Sequence, residues 1–223
     1  MKILMKFTSR ERFKILLGCI QYYVEYANNL NDMVWLFTLD ANDESFDFNL
    51  FKEHLINLKI YDKSIIVLGK SESKIDAINR DVSLIKDWDI LLNISDDQFP
   101  IIKGYDDLIR QNMKEDLDCS LWFNDSHQDR TNTQEIIGRN YYKRFNYIYY
   151  PHYKSFFCDN EATLVGIKLN KLIYIPTTII KHLHPSWAGN IIHNGTDALY
   201  DRNQLTWDFD EYLYKEREKI NFI

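Results

Sequence analysis

Short apolar runs alternate with helical periodicity along the first half of the chain. KILMKF (2–7) reads as a strand. Phe13, Leu16, Leu17, Ile20 and Val24 then recur at helical spacing, which predicts an amphipathic helix over 11–27. MVWLFTL (33–39) is a second strand ending at Asp40, a weaker helix follows at 48–57, and SIIVLG (64–69) is a third strand. Ile75, Ile78, Val82 and Ile85 predict a helix over 73–86, and DILLNI (89–94) a fourth strand. Strands that are apolar along their length and separated by helices predict a parallel sheet covered on both faces.

The second half is less regular. CSLWF (119–123), KLIYI (171–175) and TTIIKHLHP (177–185) read as strands. CDNEATLVGIKL (158–169) reads as a helix with acids in its first turn, which suits the helix dipole. A charged helix bearing Trp and Tyr is expected at 197–219.

In open sheets of this kind, ligands bind beyond the carboxyl ends of the strands. Polar clusters stand at those ends: Thr8, Ser9, Arg10 and Arg12; Asp40, Asn42, Asp43 and Glu44; Gly69, Lys70 and Ser71, with Lys74 and Asn79 on the next helix; and Asp96 and Asp97. Their content is mixed, with cations suited to phosphate and carboxylates suited to hydroxyls or a metal. Adjacent carboxylates at the end of a buried strand repel unless something positive neutralises them. A divalent metal would do so, and a solvated capped turn is the other reading.

The totals narrow the field. With 223 residues, scarce Gly and Pro and no internal repeat, the chain is long enough for one fair-sized domain or two very small ones. A net charge of −6 argues against a generic nucleic-acid coat. Cys19, Cys119 and Cys158 have no paired spacing, so neither a disulfide framework nor a zinc site is expected, and a reducing cytoplasm fits best. MKILMKF is broken too soon by TSRER to be a signal peptide. No apolar run approaches the ~20 residues that span a bilayer. No Gly-x-Gly-x-x-Gly follows a strand, which counts against a dinucleotide-binding dehydrogenase.

The fragments FTSRER, TLDANDESF, SKIDAINRDV, WDILLNISDDQFPIIKGYDDLIR, FFCDNEATLVGIKL and IIKHLHPSW, in this order, resemble the GT-A glycosyltransferases, in particular the short family-2-like enzymes of phages and bacteria. The resemblance covers nearly the whole chain. It implies a single α/β domain over 1–223 with a mixed, mainly parallel, Rossmann-like sheet flanked by helices. Residues 1–97 would hold a nucleotide-sugar donor, in particular a UDP-sugar, and 98–223 an acceptor.

The resemblance also implies roles. Asp96 and Asp97 stand where the family's aspartate motif does, with Asp97 the direct ligand of Mn2+ or Mg2+; position 95 is Ser, so the strict Asp-x-Asp pattern is absent. A C-terminal histidine, His184 or His182, would complete the metal shell. Asp159 resembles the base that starts a helix in inverting members, with Glu161 the alternative. Asp40 would bind the ribose or uracil edge. Thr8, Arg10, Arg12, Asp43, Lys74 and Asn79 complete the expected donor contacts.

The acceptor is the faintest signal. Residues 130–154 hold five basic residues against one acid, net +4 in a chain of net −6, interleaved with tyrosines and Phe145. Cations alternating with aromatics suit a nucleic-acid strand. Some phage members of the resembled class glycosylate hydroxymethylated pyrimidines in DNA, which makes such a base one expected acceptor, with Trp122, Asp125, Arg139, Lys143 and Arg144 as its contacts. A cell-surface or exported glycan is the alternative acceptor, and a non-catalytic nucleotide-sugar-binding module the alternative of a different class.

Overall fold

The computed structural model describes residues 1–183 and 198–222. Four strands, β1 (Ile3–Ser9), β2 (Met33–Asp40), β3 (Ser64–Gly69) and β4 (Ile90–Ser95), run parallel in the order β3-β2-β1-β4. After β5 (Gln98–Pro100) come β6 (Ser120–Phe123), β7 (Ile136–Gly138) and β8 (Leu172–Ile175). The last three extend the same sheet to seven strands, ordered β4-β7-β6-β8. Here β7 is antiparallel to both its neighbours and β8 is parallel to β6. The sheet is mixed and mainly parallel, as the sequence predicts.

Alternation along the strands explains the unbroken apolar runs, because successive side chains point to opposite faces and both are covered. Ile3, Met5 and Phe7 join Leu16, Ile20 and Tyr23 of α1 (Phe13–Tyr26) and Phe51 and Leu55 of α2 (Phe48–Asn57). On the other face Leu4, Leu36 and Leu91 join Ile75 and Ile78 of α3 (Lys74–Asn79) together with Tyr141, Tyr149 and Tyr153. The remaining helices are α4 (Tyr105–Asn112), α5 (Arg139–Phe145), α6 (Cys158–Lys168), α7 (Ala198–Gln204) and α8 (Trp207–Lys219).

Three predicted elements differ from the observed ones. The helix expected over 73–86 stops at Asn79, and Asp81 takes a left-handed φ of 72°. The turn aims two charges inward: Asp81 accepts from Thr38 Oγ1 at 2.9 Å, and Arg80 donates to the Leu39 carbonyl at 3.1 Å. Val82 stays buried through a 3-10 turn, which is why the apolar period continues past the helix end. Of the strand expected over 177–185, the described residues hold β9 (Ile180–His182), antiparallel to β5, and residues 184 and 185 lie outside them.

The C-terminal helix divides into α7 and α8. Past that break, the fully buried Asp210 of α8 accepts the backbone N–H groups of Lys154, Ser155 and Phe156 at 2.7, 2.8 and 2.9 Å. This clamp holds the loop that leads into α6. Asp210→Ala leaves three part-buried donors without their charged acceptor. The expected loss of stability is ~3–5 kcal/mol, read as a lower urea midpoint with unchanged far-ultraviolet circular dichroism of the folded protein.

Candidate active site

The carboxyl ends of β1, β2 and β4 form the floor of a cleft of about 210 Å³. Its lining includes Thr8, Arg10, Arg12, Asp40, Ser71, Lys74, Asp96 and Asp97, with Arg202 and Thr206 reaching in from the C-terminal helices. Glu11, at a left-handed φ of 58°, bends the chain after β1 so that the arginines on either side of it both face this cleft. Arg10 reaches Asp40 at 3.2 Å, and Asp40 also accepts the Ser71 N–H at 3.1 Å.

Asp96 and Asp97 are both buried. Asp96 accepts from Ser9 Oγ at 2.6 Å and from Arg12 at 3.2 Å, so each of its oxygens is engaged. Burial and the neighbouring Asp97 push its pKa up, against Arg12 and Ser9. Burial also pushes Asp97 up, but His182, Lys74 and Arg12 outweigh it and hold its carboxyl below the usual range. The pair therefore divides its roles, with Asp97 the firmly ionised member.

His182 reaches this point through β-pairing. Residue 98 of β5 lies opposite residue 182 of β9, and the Leu183 N–H donates to the Asp97 carbonyl at 2.8 Å. His182 Nε2 stands 3.4 Å from Asp97 Oδ1, an oxygen with no hydrogen-bond partner among the described residues. Two ligands each ~2.1 Å from one ion stand at most ~4.2 Å apart, so the pair fits a hard divalent cation. Among the described residues no three His, Cys, Asp or Glu groups converge. His184, the other candidate ligand, lies outside the described residues.

A second chamber of about 220 Å³ adjoins the first, and the two share Lys74 and Ser95. It is lined by Asn93, Gln98, Thr133, Tyr149, Phe156, Asp159 and His182, among others. Asp159 is half-buried in the first turn of α6. Burial raises its pKa against the opposing pull of the Asn160 N–H, Lys74 and His182, which makes it a better proton acceptor than an ordinary aspartate.

Several expected site residues are placed elsewhere. Glu161, the alternative base, forms a buried bidentate pair with Arg217 at 2.7 Å on both oxygens and accepts from the Tyr153 hydroxyl at 2.8 Å. Asn79 is a loop clamp, donating to the Tyr149 carbonyl at 2.7 Å and accepting from the Ile148 and Tyr149 N–H groups. Asp43 accepts from the Glu11 N–H and braces its own turn through Ser45. Trp122 packs edge-on against Tyr174. Asp125 holds the 125–133 loop, accepting from the His127 N–H and Thr133 Oγ1.

The proposed nucleic-acid cations do not reach the cleft. The Arg139 N–H bonds the Asp89 carbonyl at the opposite end of β4, and its side chain donates to the Trp88 carbonyl and covers the Trp88 ring. At ~3.3 Å per strand residue this is roughly 20 Å from Ser95. Arg144 forms a bidentate pair with Asp118, and Lys143 lies against Asn140. Many of the interleaved aromatics are core, including Tyr141, Tyr149 and Tyr153.

Sequence reasoning overlooked Asn93, Thr133 and Phe156 in the second chamber and Arg202 in the first; Tyr149 and Lys154 belong to the 130–154 stretch read as acceptor-binding, and they line the second chamber and the donor cleft respectively. Asn93 left a signal as the one polar residue inside DILLNI apart from its first position. The others sit on loops or on a distant helix and left none.

No protein-family model matches the chain. No curated protein sequence matches it. Among solved structures it is similar to the mannosyltransferase PcManGT from Pyrobaculum calidifontis in complex with GDP-Man and Mn2+, with a TM-score of 0.69 and 8% identity over 85% of this chain and 58% of that one. It is similar to S. aureus TarS 1–349 in complex with UDP-GlcNAc, with a TM-score of 0.60 and 12% identity over 81% of this chain and 57% of that one. It is also similar to glucosyl-3-phosphoglycerate synthase from Mycobacterium tuberculosis, with a TM-score of 0.54 and 9% identity over 81% of this chain and 71% of that one. The chain thus spans less than two thirds of the length of the first two. At these identities the likeness is one of fold, and the fold is GT-A. No helix among the described residues is long and apolar enough to cross a membrane.

Glu161 and Asp159 are separable by experiment. Glu161→Gln weakens a buried ion pair and is expected to lower stability. Asp159→Asn removes a group at the cavity wall and is expected to leave the melting temperature within about 2 °C, because substitutions away from core packing and buried networks stay within ~0.5 kcal/mol. Thermal melts of the two variants check this.

Proposed function

We propose that the chain is a glycosyltransferase that moves a sugar from a nucleotide-diphosphate donor, in particular a UDP-sugar, to a hydroxyl acceptor with inversion. The observation that carries the reading is the pair of adjoining chambers, one walled by cations and Asp40, the other by Asp159, meeting at Lys74 beside Asp97 and His182. Two of the similar structures hold nucleotide sugars, GDP-Man and UDP-GlcNAc, which supports the donor class.

In this reading Asp40 holds the ribose or base edge, and Arg10, Arg12 and Lys74 face the diphosphate. Asp97 and His182 would hold Mn2+ or Mg2+, which supplies Lewis-acid stabilisation of the leaving phosphate oxygens when bound. Asp159 takes the proton from the acceptor hydroxyl as its oxygen bonds the anomeric carbon. The bond from that carbon to the phosphate oxygen breaks, and the diphosphate leaves with the electron pair. Burial of Asp159 keeps its carboxylate basic.

The acceptor enters the second chamber. A hydroxyl of a glycan fits this route better than a hydroxymethylated pyrimidine in DNA, because Arg139 and Arg144 already hold intramolecular partners. Transfer that falls steeply with salt would favour DNA instead, since phosphate contacts release counterions.

Turnover, donor binding and the pH–rate profile test the assignment. UDP-sugar turnover with Mn2+ is expected in the wild type and absent with chelator, and Asp97→Ala is expected to lose nucleotide binding as well as turnover. Full turnover in chelator would remove the metal role of Asp97 and His182. Asp159→Asn is expected to lower transfer by ~10²–10⁴ with donor affinity unchanged. In the wild type the acid limb of the pH–rate profile is expected above the ordinary aspartate pKa, because activity is lost as pH falls through the raised pKa of Asp159. Donor binding with no turnover under any of these conditions would mark a binding module.

A further inference from the structure

The seven-stranded sheet ends at β3, and no other strand among the described residues pairs with its outer side. Gly69 accepts from the Ala41 N–H at 2.8 Å, so it turns its backbone groups toward β2. Backbone groups alternate along a strand, so Ile65 and Val67 do the same, while Ser64, Ile66 and Leu68 turn theirs outward. Ser64 returns its N–H to the Tyr61 carbonyl. The N–H groups of Ile66 and Leu68 have no partner among the described residues.

An open edge is a template for another strand, and proteins guard it with Pro, a bulge or a charge. The strand SIIVLG has no Pro or charge, and its register with β2 runs without a bulge. Its Ile65 and Leu68 are 38% and 44% exposed. Lys63, at its start, folds back to the Leu30 carbonyl and Asn31 Oδ1. Asp62 and Lys70 flank the strand, are exposed, and have no hydrogen-bond or ion-pair partner among the described residues.

We propose that a second copy of the chain covers this edge, with the two β3 strands antiparallel about a two-fold axis at Ile66. Such an axis makes one patch complementary to itself. The outward groups limit the register, because only Ser64, Ile66 and Leu68 can bond across. Centred on Ile66, each Ile66 N–H meets the Ile66 carbonyl of the other copy, and each Leu68 N–H meets the Ser64 carbonyl. Both open donors of each copy are then bonded. Ile65 lies across from Val67, an apolar cross-strand pair.

Charge selects this register over its neighbours, because it sets Asp62 of each copy beside Lys70 of the other. Sliding one strand by two residues sets Asp62 against Glu72, and sliding it the other way sets Asp62 across from Leu68. The pairing joins two seven-stranded sheets into one and points their carboxyl edges in opposite directions, so the two donor clefts face opposite ways. It stands independently of the transfer activity.

Sedimentation equilibrium of the full chain at increasing concentration tests the pairing, with twice the chain mass expected at the upper end. Leu68→Pro removes one outward donor from each copy and spares the β2 ladder, since an edge strand tolerates Pro where its N–H faces solvent. It is expected to raise the dimer Kd ~10-fold with unchanged far-ultraviolet circular dichroism. Asp62→Lys and Lys70→Asp each turn two attractive pairs into repulsive ones, and each is expected to raise Kd ~10-fold, whereas the double variant restores it. These exposed positions outside the strand keep the test decisive if Leu68→Pro fails to fold. A monomer at every concentration overturns the proposal and leaves the edge to a different protein. A dimer that none of the variants weakens places the contact on another face and overturns it as well. Weakening by both single reversals without rescue in the double variant overturns the register centred on Ile66.

Discussion

Two neighbouring carboxylates at the end of a buried strand repel each other, and the site is organised around relieving that repulsion. Ser9, the last residue of β1, and Arg12, just beyond it, bond both oxygens of Asp96. His182, Lys74 and Arg12 act on Asp97. The neutralising groups come from three separate parts of the chain, so the pair can be buried only when β1, α3 and the β5–β9 ladder are all in place. The same requirement gathers the cationic wall of the donor cleft and leaves one Asp97 oxygen turned to an imidazole.

The surrounding structure holds these groups from behind. Asp210 fixes the loop before α6, and that loop sets where Asp159 begins its helix. The Glu161–Arg217 pair ties α6 to α8 two residues farther along. On the other side Arg80 and Asp81 turn back across β2, and Arg80 also donates to Ser71, whose N–H bonds Asp40. Polar groups that might have been read as chemistry are thus divided between those that face the chambers and those that aim their neighbours.

Burial of charge is the feature common to both groups. Lys6 is wholly buried on the central strand, donating to Thr38 and to the Ala77 carbonyl at 3.0 Å, and burial lowers its pKa to about 7. It lies beneath Thr38 and Ala77, both of which line the donor cleft. A parallel sheet with apolar faces tolerates such groups only with partners, and here those partners converge at the carboxyl edge of the strands.

The sequence alone determined the local order of the chain. Apolar period separates helix from strand with little tertiary input, so β1 to β4, α1, α2 and α6 were legible, and the polar clusters after each strand marked the edge where the cleft lies. Asp96, Asp97, Arg10, Arg12 and Asp40 follow from that pattern because a parallel strand always delivers its next residues to the same edge. Only the tertiary structure decided which charge meets which. Glu161 and Asp159 are equivalent in a first helical turn, yet one faces Arg217 and the other a chamber. Arg139 and Arg144 look like a nucleic-acid surface until the pairing of β7 with β4 carries them to the far end of the sheet. His182 reaches Asp97 through a three-residue ladder too short to read. A partner for a charge is set by long-range register and packing, and residue spacing along the chain carries neither.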